Sequence, residues 1–291
     1  MTLRRLSANA RARRNARLVA FTLAVTTAFP LRAQAITALP GASGPVQLTP
    51  FDPLLARESH ATIDGDRGAP GLRRADGWKL GGMAALAAVV ATADRRGDAW
   101  ARRPGVQNNA TLRQLSHVGD ATGTYASVGV GPALWLLGRV RNDSGTAVLG
   151  LRTTEAVFLS GVTISAIKAI AGRTRPYASA DNSPTHWDLF GGLRSDSTRS
   201  FASGHSALSA AAAVTLAAEW RRQGTQGWKT VGPPLVYALA SLTAASRVRD
   251  RQHWLSDVVT GSAIGIASAL VVRRWHDGHP RSRIDRVFLS R

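Results

Sequence analysis

Seven stretches rich in alanine, leucine and valine most constrain what this 291-residue chain can fold into. They lie near residues 78–94, 108–118, 124–140, 146–173, 205–222, 232–247 and 254–275, punctuated by glycine, proline and charge. Alanine dominates and apolar residues do not alternate with polar ones, so the stretches favour helix over strand. The expected class is all-α, a helical bundle long enough to bury one sizeable core. Each uninterrupted apolar core runs to roughly 12–16 residues, short of the ~20 that cross a bilayer. Mean hydropathy is −0.07. A soluble or peripherally bound bundle is therefore expected, with an integral membrane bundle as the alternative. The spacing Gly261-x-x-x-Gly265 suits close helix packing in either setting.

Residues 1–17 hold six arginines and no acid, Leu18–Leu31 is apolar, and Ala33-Gln34-Ala35 has the small-x-small form of a signal-peptidase site. Residues 1–35 read as a secretory signal peptide; an uncleaved membrane anchor is the other reading. Residues 36–75, rich in Pro, Gly, Asp and Arg, form an extended lead-in. The bundle occupies 76–275, and 276–291 is a basic C-terminal tail. The expected location is outside the cytoplasm, in the periplasm, with membrane association; a membrane-embedded form would face its site to the periplasm.

Formal net charge is +19, and loss of the seven arginines in 1–35 would leave +12. Such charge favours phosphate esters and anionic lipid surfaces. No helix-turn-helix, zinc-finger or aromatic-rich RNA-binding pattern accompanies it, so nucleic acid is not an expected partner. Cysteine is absent, which excludes disulfides, thiolate catalysis and Cys-ligated metal. Oligomeric state has no sequence signal.

Three short motifs carry chemistry. Lys168 and Arg175 lie two helical turns apart, and Pro176 ends the helix there. Two cations at that position can grip phosphate oxygens, or simply offset the helix dipole. Ser203-Gly204-His205 precedes an alanine-rich run, so a hydroxyl and unpaired amides face whatever anion sits at the helix start. His205 there could donate a proton, or be incidental to an N-cap. His253 and Asp257 are one turn apart, so the carboxylate can accept the Nδ1 hydrogen and leave Nε2 as nucleophile. Arg247 adds a third cation and makes this a poor metal site. A plain surface His–Asp bond is the bland reading. Arg173 reads as a bland neighbour, Ser246 as a support for Arg247, and the loop 177–200 as a substrate-access rim. His60, His276 and His279 read as surface residues; His117 and His186 carry no assignment.

In order and spacing, Lys-x6-Arg-Pro, Ser-Gly-His and Ser-Arg-x5-His-x3-Asp resemble the signature of the type 2 phosphatidic acid phosphatase (PAP2) superfamily, across roughly residues 78–275. That superfamily also takes in bacterial class A acid phosphatases and vanadium-dependent haloperoxidases. The sequence departs from it at Ala202, where the second motif usually has proline. The resemblance implies a PAP2/haloperoxidase-like bundle with the active site at one end. It implies that Lys168, Arg175, Arg247, the Ser203 hydroxyl and the Gly204 amide bind phosphoryl oxygens. It also implies that His253 attacks phosphorus, Asp257 orients it, and His205 handles the proton of the leaving group and then of water. The implied activity is hydrolysis of phosphomonoesters or lipid (pyro)phosphates through a phosphohistidine, with no metal or other cofactor. A vanadate-dependent haloperoxidase and a non-catalytic phosphate- or lipid-binding bundle are the alternatives.

Overall fold

The computed structural model describes residues 74–279 and 283–289; the expected signal peptide, and the expected lead-in up to residue 73, lie outside the described residues. Every apolar stretch is helical. Helix α1 spans Arg74–Ala91 and α2 Asp94–Ala101. After a single turn at Pro104–Gln107 comes α3, Ala110–Ala121, capped by the Asn109 side chain. A π-turn at Thr122–Ala126 leads into α4, Ser127–Val140. Helix α5 runs Ser144–Ala171 and stops at Gly172, whose left-handed φ of 58° a side chain would resist. Then follow α6 (Gly204–Gln223), α7 (Gln226–Arg249), α8 (Leu255–Gly278) and α9 (Arg283–Leu289). Among the described residues there is no strand.

Helix α6 is the axis of the bundle, packed against α5, α7 and α8. Its Ala207, Ala210, Ala211, Ala213 and Ala217 are buried on several faces. A helix covered all round shows no amphipathic period, which is why this run reads as unpatterned alanine. Gly261-x-x-x-Gly265 is the packing seam. A Cβ at Gly261 would lie 2.2 Å from the Ser203 carbonyl oxygen, and one at Gly265 2.1 Å from that of Ala207. Helix α8 therefore lies backbone-to-backbone on the start of α6.

Two findings correct the sequence expectation. Helices α5 and α8 are 28 and 24 residues long and each is apolar enough to cross a membrane. Counting uninterrupted apolar residues underestimated α5 because its hydroxyls bond back within the helix. Thr153, Thr154, Thr163 and Ser165 donate to carbonyls four residues earlier at 2.7–2.9 Å. Only 28% of the apolar window of α5 and 44% of that of α8 is buried, so most of it faces outward, as in Phe158 and Val162. This pattern supports membrane association. The second correction concerns His276, expected at the surface. Helix α8 carries it inward on the face of Val272, one turn earlier, and it is 2% exposed. Its Nε2 meets Glu155 at 2.5 Å and its Nδ1 lies 3.2 Å from Asp285.

Candidate active site

The up-and-down connection brings the C-terminal ends of α3, α5 and α7 to the N-terminal ends of α6 and α8. Every predicted site residue lies at this end of the bundle. Lys168 sits in the last turn of α5, and its ammonium donates to the Arg199 carbonyl. A Cβ placed on Gly204 would lie 3.7 Å from Lys168 Cε, so this cation stands against the first turn of α6. There the Gly204 and His205 amides have no intrahelical acceptor, as at any helix start. Arg175, extended after Gly172, donates through Nε to the Asp196 carbonyl at 2.9 Å and through Nη1 to Gln252, the neighbour of His253. The His253 amide in turn donates to the Arg247 carbonyl at 3.2 Å. First and third motifs are thus tied together around one ring. Ser203 takes the N-cap position of α6. Its hydroxyl is buried in the α6 cap, 2.9 Å from the Ser206 hydroxyl. The turn before it, where the motif usually has proline, holds Ala202, fully buried and preceded by a cis Phe201–Ala202 peptide.

His253 is oriented otherwise than its spacing predicted. Its Nδ1 lies 2.6 Å from the Ser200 carbonyl, which accepts its hydrogen, whereas the Asp257 carboxylate is 3.9 Å away. The i, i+4 argument requires both residues to be helical. Trp254 is the N-cap of α8, with ψ 160°, so His253 lies before the helix. Asp257, at the third helical position, turns back instead to accept the Trp254 amide at 2.9 Å. Ser200 closes the gap: its hydroxyl donates to Asp257 at 2.5 Å while its carbonyl holds His253. The outcome for the ring is the one anticipated, Nδ1 protonated and Nε2 free. Burial, reinforced by the nearby Lys168 and Arg175 charges, holds the His253 pKa well below the usual imidazole value. Both effects favour the neutral ring, whose Nε2 keeps its lone pair.

Asp120 is a site residue with no sequence signal. At the end of α3, its Oδ1 lies 2.8 Å from Arg247 Nη2 and 3.3 Å from His205 Nε2. The hydrogen bond with His205, and the Arg247 charge, keep its carboxyl below the usual carboxylate range. It contacts two of the expected site residues at once. Asp120→Asn keeps the shape and removes the charge; we expect kcat to fall by about 10- to 100-fold, read by steady-state kinetics, with the larger effect on kcat rather than KM. The Ser246 hydroxyl supports Arg247 Nε only at 3.3 Å.

Arg173, expected to be bland, is 4% exposed and bonded to Asp94, Ser256 and Asp257. His186 and His117 are exposed; His186 pairs with Asp181 at 3.3 Å. A cavity of about 780 Å³ lies between α1, α5 and α8, floored by Arg173, Trp187, Phe201 and Ser256. Its walls are apolar, and its lining includes none of Lys168, Arg175 and Arg247, the residues expected to bind phosphate.

Residues 149–281 match the PAP2 superfamily. Over 168 residues the chain is 32% identical to a probable diacylglycerol pyrophosphate phosphatase 1 of Schizosaccharomyces pombe, covering 49% of this chain and 60% of that one. Over 79 residues it is 39% identical to the lipid A 1-phosphatase of Porphyromonas gingivalis, 26% of this chain and 17% of that one. The chain thus spans less than two thirds of either relative. No solved structure matches it.

Proposed function

We propose that this PAP2 superfamily domain is a lipid phosphate or lipid pyrophosphate phosphatase, working through a phosphohistidine without a metal. The observation that carries the reading is the Nε2 of His253, freed by the Nδ1 bond to Ser200, in a ring that feels the charges of Lys168 and Arg175. In the first step Nε2 attacks phosphorus, the P–N bond forms and the ester P–O bond breaks. His205 gives its proton to the leaving oxygen. In the second, His205 takes a proton from water, which displaces His253 and releases phosphate. Fixed cations and the α6 amides stabilise the charge on the equatorial oxygens throughout.

The lipid side of the proposal is supported by the names of the two relatives and by the outward apolar faces of α5 and α8. A basic chain at an anionic membrane would concentrate its substrate. We place it as an exported protein with its site facing the periplasm.

The test is phosphate release by the purified chain in excess EDTA, against p-nitrophenyl phosphate, phosphatidic acid, diacylglycerol pyrophosphate and undecaprenyl pyrophosphate. Full activity in EDTA with a preference for lipid substrates is expected. Activity lost in EDTA and restored by a divalent cation would overturn the mechanism. Vanadate- and peroxide-dependent halide oxidation, with no phosphate release, would replace the phosphatase reading.

A further inference from the structure

Behind His253 lies a closed network of buried charge. The Arg173 guanidinium donates through Nε to the Pro184 carbonyl at 2.9 Å. Through Nη1 it reaches Ser256 Oγ at 2.8 Å and Asp257 Oδ1 at 2.5 Å, and through Nη2 Asp94 Oδ2 at 2.8 Å. Its flat faces meet the rings of Trp187 and Trp254, at 5.0 and 5.5 Å. Asp94, 1% exposed, also accepts the Ser256 amide at 2.8 Å and the Ser256 hydroxyl at 2.7 Å. The other oxygen of Asp257 is held by Ser200, whose carbonyl fixes His253. All three Arg173 nitrogens are engaged in this network and the side chain is buried.

We propose that Arg173, anchored by Asp94, is a positioning residue for phosphoryl transfer that holds Asp257 and, through Ser200, the ring of His253. The role rests on the phosphatase reading above. Asp94, Arg173 and Asp257 together carry one net negative charge, while His253 starts neutral. When Nε2 bonds to phosphorus and Nδ1 keeps its hydrogen, the ring becomes cationic. A fixed anion already in place 3.9 Å away stabilises that cation without reorganising. Burial pushes the Asp257 carboxyl above its ordinary value and the Arg173 charge opposes that rise, so Arg173 favours the ionised carboxylate that the role requires. Lysine cannot substitute, because one ammonium cannot reach partners in three directions while stacked between two rings.

The rival is that Arg173 merely glues α2, the 172–190 segment and α8 together. Arg173→Met and the double variant Arg173→Met/Asp94→Asn separate the two. The single change takes the counter-charge from two buried carboxylates; the double change relieves Asp94 and leaves Asp257 with its Ser200 and Trp254 bonds but no counter-charge. The readouts are thermal unfolding, kcat, KM and inhibition by inorganic phosphate, on the full chain. We expect the double variant to regain much of the lost melting temperature while kcat stays about 100-fold down. KM and the phosphate inhibition constant should remain within about threefold, since the cradle is untouched; Arg175→Ala in contrast should raise both.

Recovery of kcat together with stability in the double variant would make Arg173 structural only and overturn the proposal. A rise in KM and the inhibition constant at unchanged kcat would make it a phosphate ligand and overturn the proposal equally. Should the Arg173 variants fail to fold, Ser200→Ala tests the same chain. It leaves the carbonyl on His253 and cuts only the hydroxyl bond to Asp257. Unchanged kcat there overturns the route through Ser200; a loss of about tenfold at unchanged KM and melting temperature supports it. Absence of turnover by the native chain on every substrate would overturn the phosphatase reading and this role with it, whereas native turnover with a fully active double variant overturns the role alone.

Discussion

Replacing His253 with alanine is expected to lower kcat by about 10⁴-fold or more, the scale seen when a covalent nucleophile is removed. Binding should survive. Lys168, Arg175 and Arg247 are held by Arg199, by Asp196 and Gln252, and by Asp120, not by the imidazole. Inorganic phosphate, titrated calorimetrically, should therefore bind the variant within several-fold of the native affinity. Native chain quenched during turnover with labelled lipid phosphate should carry acid-labile, alkali-stable label, as a phosphoramidate does; the alanine variant should carry none. Label that persists in the variant would move the nucleophile elsewhere. The pH dependence follows from the same ring. Its folded pKa lies well below 6.5, so the unfolded chain binds a proton there that the folded chain refuses. Folded stability consequently falls as pH drops below 6.5 and continues to fall until the lower folded value is reached. The proposed nucleophile is favoured in its neutral form over that window. His253→Ala removes this penalty, so its melting temperature should fall less than that of the native chain between pH 7 and pH 5.

The parts of the site legible in sequence are those whose neighbours in space are also neighbours along the chain. Lys168 and Arg175 bracket a helix end, and Ser203 caps the helix that begins at Gly204, because local spacing settles such features. His253 and Asp257 show where that logic stops. Four residues apart means one face only inside a helix, and α8 begins between them. The carboxylate serves the helix start, and Ser200, from a loop more than fifty residues earlier, takes over the ring. Asp120, Asp94 and Arg173 act through contacts that span dozens to more than a hundred residues. An isolated acid on a helix, or an arginine two residues from another, has no pattern to betray it. The helices were legible because alanine has no good alternative conformation in such runs. Their full apolar length was not, since hydroxyls that bond within their own helix look polar in a sequence and are satisfied in the fold.

The seam between α6 and α8 gives the second large effect. Gly261→Val places a Cβ 2.2 Å from the Ser203 carbonyl oxygen and 3.1 Å from the Ser203 nitrogen, both backbone atoms that cannot rotate away. Relief requires α8 to move off α6. Overpacking of this kind costs about 1–3 kcal/mol of stability. The damage to function should exceed that, because the Ser203 amide donates to the Asp257 carbonyl at 3.0 Å across this contact. Separating the helices parts the Ser-Gly-His turn from the segment that carries His253. A displacement near 1 Å in reacting groups costs about 100-fold in rate. Gly129 in α4 supplies the control, since a Cβ there meets nothing within 4 Å. Gly129→Ala should be neutral or more stable by up to about 1 kcal/mol, as alanine favours helix over glycine. Activity normalised to folded protein should fall at position 261 and not at 129. Full specific activity in folded Gly261→Val would show that the seam holds the bundle together without setting the geometry of the site.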